Sequence, residues 1–550
     1  MTVEELHRNQ LEKLPNIVLI PWHREITSKS EPTYPLCGKR EIFCGHKLQN
    51  KESAERKYIR TSGPFFDIGE VLTKLSEDDQ KIDLIFSMLE VNNTCFPKNL
   101  SIIKCPKLAF LGDTHHSKYS ISSLIKYVKR EGFTHIFTNA QPAHLHFFYE
   151  AGFTNSAFYP RPPLNFETVK NKKPGVVYIG KKWKSSHPRR SRMAQFLEKE
   201  LPKKNIPFYW YNRLSKTNWR KVLMSSKMIA LSSLNGQFTP QIYNCLSAEA
   251  LCLVDELSTQ SFLHQFFEPG KHLITWSKFE DLLEKIIYYY NHPAEAEAIA
   301  KAGKLQVEKN FATSENMACT FSEFVFDDKI DPRFLAIQDR RCQQKRVESP
   351  EYFNARVRLY ENIQELHRIH ESLALISLTE KNLKPTSDLA DLPRLKITHA
   401  FLSDKIKNEA DLYFHNVGVS DQIKTTFLNK IQELNHFNVG LLETLQNQDY
   451  WVFLVKSIST LLKSNSLLWV LGELTSFQNE ILKREGFKKY IFKNDSKTQK
   501  IKNFSRKFCF QFWKMGLYPL PYLTLKPSME TTPNLNVFLR GWQPYIPFIY

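Results

Sequence analysis

Residues 135–160 read H-I-F-T-N-A-Q-P-A-H-L-H-F-F-Y-E-A-G-F-T-N-S-A-F-Y-P. H-I-F-T-N is a short apolar run of strand type, and S-A-F-Y-P (156–160) is another. Between them A-H-L-H-F-F-Y-E-A-G-F (143–153) has helical spacing and closes on Gly152, a residue that commonly ends helices. A helix linking two strands implies a crossover, so the strands lie parallel in a sheet with helices on its faces.

The pattern extends upstream. I-D-L-I-F-S-M-L (82–89) and L-A-F-L-G (108–112) are strands, and S-S-L-I-K-Y-V-K-R-E-G-F (122–133) is a helix closing on Gly132. I-V-L-I-P-W (17–22) adds a first strand, while the rest of residues 1–80 stays unassigned. A proline-rich connector, P-R-P-P-L-N-F-E-T-V-K-N-K-K-P (160–174), interrupts the alternation. It then restarts with strands at 175–180, 206–211, 227–233 and 251–255, separated by helices that include T-P-Q-I-Y-N-C-L-S-A-E-A (239–250). Two α/β domains in succession are expected, 1–165 and 166–330. Residues 331–550 form a third α/β or α+β domain of unassigned role, marked by helical spacing at 352–370 and a helix-Gly-Phe-strand pattern at 482–492.

The chain has 550 residues, 42% of them hydrophobic and 13% aromatic, which excludes a disordered chain and calls for more than one core. Its 76 basic against 57 acidic residues give +19, so an anionic partner is expected. Nine cysteines form no C-x-x-C pair and suit a reducing compartment. No apolar signal core or membrane-spanning stretch is present, and the expected location is the cytoplasm. A basic run with interleaved aromatics (488–507) is compatible with an anionic surface; nucleic acid is not the expected partner.

Two segments are suited to phosphate. In S-L-N-G-Q-F-T-P-Q-I-Y-N-C-L, Thr239 is an N-cap, Pro240 fits the first helical position, and Gly236 lets the incoming backbone approach closely. No acid occupies the first turn, which leaves N–H groups and the positive dipole end for an anion. After V-V-Y-I-G, Gly180 is followed by K-K-W-K-S-S-H-P-R-R-S-R, in which Arg189 or Arg190 is expected to reach a ligand.

Strand L-A-F-L-G releases D-T-H-H, so Asp113, His115 and His116 are candidate polar groups at a strand's carboxyl end. The alternative is an Asp113 cap with loop histidines. A metal site would have to recruit His144 and His146, which lie two apart on a helix and point about 200° apart. No metal is expected.

Residues 266–303 (F-F-E-P-G-K-H-L-I-T-W-S-K-F-E-D-L-L-E-K-I-I-Y-Y-Y-N-H-P-A-E-A-E-A-I-A-K-A-G) resemble the carboxy-terminal signature of spore-maturation-type glycosyltransferases, within the GT-B class of nucleotide-sugar enzymes. P-Q-I-Y-N-C-L-S-A-E-A-L-C-L-V-D (240–255) is similar to that family's Arg-x-Phe-Glu/Asp-Ala-Leu-Ala-Cys-Gly helix and strand, and V-Y-I-G with its Arg pair also matches. P-K-L-A-F-L-G-D-T-H-H and the 135–153 segment resemble the amino-terminal half, so the likeness covers about residues 82–325.

The resemblance implies two Rossmann-like domains of GT-B type. A nucleotide diphosphate sugar would bind mainly to the second, without an obligatory metal, and a glycan or protein acceptor would approach from the first. It adds Gln241, Tyr243 and Asn244 to the donor-side residues, and it implies Asp113 or His115 as base, with His116 on acceptor or phosphate. Gln241 replaces the family's Arg, Asn244 its carboxylate, and Glu249 its Gly. These departures keep a second expectation alive, an inactive scaffold that binds a glycan or protein. A methyltransferase-like third domain is weaker, since no glycine-rich loop precedes S-L-L-W-V-L-G-E-L (466–474).

Overall fold

The computed structural model describes residues 14–22, 37–89, 95–112, 114, 120–139, 141–159, 164, 166, 167, 169, 171–180, 188–212, 214–233, 236–311, 317–344, 348–369, 373–379, 382–401, 403–428, 437–443, 448–471, 474–489 and 535–540. The chain divides into two compact units, one reaching Cys342 and the other running from Gln343 and including 118–123.

The first unit holds two sheets. The first contains β1 (Ile17–Pro21), β2 (Arg40–Gly45), β3 (Lys51–Glu52), β4 (Arg56–Arg60), β5 (Leu84–Leu89), β6 (Lys107–Leu111), β7 (His135–Thr138) and β8 (Ser156–Phe158). Their order is β3-β4-β2-β1-β5-β6-β7-β8, and only the short β3 runs antiparallel to its neighbour. Strands buried on both faces read as continuous apolar runs, and the core of this sheet gathers Val18, Ile20, Phe43, Phe86, Phe110 and Phe137. Phe321 and Phe324 join that core from the helix Met317–Phe326, which returns to the first sheet after the second is complete.

The second sheet contains β9 (Lys173–Ile179), β10 (Phe208–Tyr211), β11 (Ser226–Leu231), β12 (Leu251–Asp255) and β13 (Ile274–Trp276), in the order β10-β9-β11-β12-β13. Every pairing in it is parallel. Its core combines Val176, Met228 and Leu253 with Met193, Leu197, Leu282 and Ile286 from the covering helices Pro188–Glu200 and Phe279–Asn291.

The other unit is also α/β. β14 (Ala374–Leu378), β15 (Lys396–Phe401), β16 (Ile423–Phe427), β17 (Phe437–Glu443), β18 (Leu462–Leu471), β19 (Phe487–Lys489) and β20 (Leu535–Arg540) form a sheet in the order β16-β15-β14-β17-β18-β20-β19. β20 is antiparallel to both of its neighbours. The expected arrangement, two parallel α/β sheets followed by a further α/β region, is the observed one. Among the described residues no helix is long and apolar enough to cross a membrane.

Candidate functional site

In open parallel sheets, ligands sit outside the carboxyl ends of the strands. At that edge of the second sheet lie Gly180 after β9, Ser232 and Ser233 after β11, Asp255 closing β12, and Ser277 after β13. The helix Pro188–Glu200 brings Arg189 and Arg190 to the same edge in its first turn.

The two arginines are held differently. Arg189 lies 3.7 Å from the buried carboxylate of Asp255 and donates to the Ser277 carbonyl at 3.0 Å. Its guanidinium also rests on the rings of Trp276 and Phe279, at 5.0 and 5.1 Å. Arg190 donates its Nε to the Ser232 carbonyl at 2.6 Å, a bond that fixes the fork by its stem. Asp255 accepts from the Ser233 backbone N–H at 2.6 Å, so one carboxylate ties the ends of β11 and β12 to Arg189. Beside these lie two buried hydroxyls, Ser191 and Ser233, with no hydrogen-bond partner among the described residues. Buried hydroxyls are normally bonded, so an unpartnered pair at this edge has capacity for a ligand.

Gly180 is explained by its neighbour. A Cβ there would lie 2.3 Å from the hydroxyl of Tyr178. Burial raises the Tyr178 phenol above its ordinary value, while Arg190 works against that shift.

The helix Pro240–Ser247 starts as its sequence predicts, with Thr239 as N-cap and Pro240 in the first turn. Gly236 has φ +78°, the left-handed region that glycine tolerates. The first donors of the helix are engaged within the chain. Gln241 N–H donates to Thr239 Oγ1 at 3.1 Å, Ile242 N–H donates to the Thr239 carbonyl at 3.0 Å, and Pro240 has no N–H. The N–H groups that the sequence reading leaves for an anion are therefore largely occupied.

Further along this helix, Tyr243 is fully buried between Phe311, stacked at 5.3 Å, and Phe238, edge-on at 6.0 Å. Asn244 Oδ1 accepts from the Leu164 N–H at 3.0 Å, and Ser247 Oγ donates to the Leu164 carbonyl at 2.9 Å. The position of the family's carboxylate is thus used to clamp the connector. Glu249 has φ +56°, which accounts for glycine at this place in the family signature. Its carboxylate pairs with Lys304 at 3.3 Å.

On the first sheet, Asp113, His115 and His116 lie outside the described residues. Thr114 among them bonds His144 Nδ1 at 2.7 Å. His146 Nδ1 faces the Ala143 carbonyl at 2.7 Å and the Asp339 carboxylate at 4.0 Å, so His144 and His146 serve separate partners. No cluster of three or more metal-ligating side chains is present among the described residues.

The sequence reading brought Gly180, Arg189 and Arg190 to one edge, but it missed Asp255, Ser191, Ser232 and Ser233. The Ser-Ser pair directly after M-I-A-L, and an acid closing the strand L-C-L-V-D, were the available signals.

Residues 166–320 match a protein family described as glycosyl transferase-like. No curated protein matches the chain. Among solved structures, HepE of Anabaena in complex with UDP and glucose is 11% identical with a TM-score of 0.41, covering 57% of this chain and all of that one. Sucrose-phosphate synthase of Thermosynechococcus elongatus is 10% identical with a TM-score of 0.40, covering 56% and 98%. TarM of S. aureus is 13% identical with a TM-score of 0.35, covering 45% and 55%. At these values the likenesses carry no functional argument. The weight rests on the family match over the second sheet and on a parallel α/β sheet preceding it. Residues 166–320, which contain the second sheet, are thus similar to the glycosyl transferase-like family.

Proposed function

We propose that the chain transfers a sugar from a nucleotide diphosphate sugar, held at the carboxyl edge of the second sheet, to the hydroxyl of a glycan, protein or surface-polymer acceptor offered from the first. The observation that carries this reading is the Arg190 fork, anchored on the Ser232 carbonyl beside the unpartnered hydroxyls of Ser191 and Ser233. A preorganised cation and hydroxyl donors stabilise charge as it develops on the leaving diphosphate, which makes a metal dispensable. Gly180 and Gly236 let backbone approach the donor, with Thr239 and Gln241 at its flank. Tyr243 and Asn244 shape the site from behind, through packing and the Leu164 clamp. Asp113 or His115 takes the acceptor proton, and His116 binds acceptor or phosphate.

The test is a panel of nucleotide sugars incubated with the full chain, with nucleoside diphosphate release as the readout, with and without EDTA. One donor should be consumed in both conditions, and Arg190→Ala should lower kcat/KM about 100-fold. The reading fails if no donor is bound or consumed, or if Arg190→Ala changes nothing. A second reading, a binding scaffold without catalysis, draws on the engaged helix start and the Asn244 clamp. Calorimetry showing glycan binding without nucleotide binding would select it.

A further inference from the structure

The opposite end of the second sheet has its own cavity. It encloses about 750 Å³ and is lined by Lys172, Lys227 and Lys301, by Tyr289 and Tyr290, and by apolar groups including Met228. Lys172 and Lys227 belong to the amino ends of β9 and β11, whereas Gly180 and Ser232 follow their carboxyl ends. A strand the length of β9 separates the two places by roughly 20 Å. The volume is that of an ordinary small-molecule site.

The cavity is charged in a particular way. Its three lysines face two carboxylates, Glu249 and Glu297, and both acids have cationic partners. Glu249 is paired with Lys304, which stands outside the lining, and Glu297 with Lys227 at 3.1 Å. The Lys227–Glu297 pair is 39% and 67% exposed, the kind of exposed pair that contributes little and re-partners readily. Lys301 has no ion pair among the described residues. The Lys172 ammonium donates to the Ala248 carbonyl at 2.9 Å and to the Glu249 carbonyl, which uses two of its three N–H groups.

We infer that this amino edge is a second ligand site, for a small organic phosphate with an aromatic or apolar body. The lysines supply point charges for the phosphate, and the tyrosine pair with Met228 supplies a surface for the body. Arginine forks dominate the carboxyl edge; the cations lining this one are lysines. Burial pulls the Lys172 ammonium down to about 8, with Glu249 drawing it partly back. An anion placed beside it raises that value, so binding near pH 8 takes up protons.

Isothermal titration of phenyl phosphate into the full chain at pH 8, in two buffers of different ionisation enthalpy, tests the inference. Inorganic phosphate is the second probe. Saturable one-site binding with net proton uptake is expected, weaker for inorganic phosphate. Lys301→Gln and Lys227→Gln are surface changes that leave the fold intact, and each should weaken phenyl phosphate roughly tenfold. Arg190→Ala should leave it unchanged. The inference is overturned by absence of saturable binding at millimolar concentration, or by equal affinity for both probes. It is equally overturned if Arg190→Ala abolishes binding while the lysine variants retain it, since the phosphate would then sit at the other edge.

Discussion

Arg189 and Arg190 are adjacent in sequence and differ in what removing them costs. Arg189 lies against the fully buried Asp255 and on two rings, so Arg189→Ala leaves a carboxylate without its guanidinium. We expect a loss of about 3 kcal/mol in urea unfolding of the first unit, with donor binding impaired only secondarily. Arg190→Ala should show the reverse, an unchanged unfolding midpoint with kcat/KM reduced. A variant pair that lost stability to the same degree would remove the distinction. His399 provides a pH-dependent counterpart in the other unit. It is buried against Phe401 and Phe414, and burial holds its imidazole down at about 3, below an ordinary 6.5. Between those values the unfolded chain binds a proton that the folded one does not, so stability falls as pH drops below about 6.5. His399→Phe keeps a ring in the core and should flatten that slope; an unaltered slope in chemical unfolding between pH 6.5 and 4 would contradict the assignment.

At the scale of elements, the helix Pro240–Ser247 is the informative case. It ends on Glu249 in the left-handed region, where any side chain except glycine is strained, and Lys172 caps its last carbonyls. Glu249→Gly and Glu249→Ala lose the same Lys304 pair. The glycine variant should nevertheless be more stable by about 1 kcal/mol, the backbone difference between the two residues at such a position. Equal melting temperatures would mean that the helix end relaxes. This element also shows how far sequence reaches. Its cap, its proline and its start were legible because each has a local rule, whereas its end falls at Ser247, short of the 250 expected. The use of its first N–H groups was not, because that depends on how tightly the first turn closes. The strands that follow the apolar rule were equally legible, from β5 through β12. β2 and β4 were not, because R-K-Y-I-R and R-E-I-F-C-G carry their charges into the sheet. Arg56 pairs with Glu41 at 3.0 Å, and Arg40 and Lys57 share Asp79 at 2.5 and 3.0 Å. Those pairs hold Asp79 at about 2, and no hydrophobic period marks strands built this way. The candidate site divides similarly: glycine and arginine positions could be read from residue type, whereas Ser191 and Ser233 matter only through a burial that folding creates.

The whole molecule contains two compact units with separate sheets and cores, so its unfolding need not be a single transition. The first unit contains the residues proposed for the donor, and the other contains His399. In denaturant at pH 7 we therefore expect two transitions. A nucleoside diphosphate present at 100 times its Kd should stabilise only the transition of the first unit, by about 2.7 kcal/mol, because ligand binding favours only the species that carries the site. Lowering the pH from 7 to 5 should weaken both transitions, because burial also holds His46 of the first unit down at about 4, and His399→Phe should reduce the movement of the other transition only. Intrinsic fluorescence cannot separate the units by itself, because both hold buried tryptophan: Trp276 in one, Trp451 and Trp469 in the other. Replacing Trp276 with Phe weakens the fluorescence signal of the second sheet and so identifies the transition of the first unit. If nucleoside diphosphate shifts both transitions equally in that variant, the units unfold as one cooperative body, and assigning the donor to the first alone is wrong. If it shifts the one that keeps Trp451 and Trp469, the nucleotide site belongs to the third sheet, and the carboxyl edge beside Arg190 has another occupant.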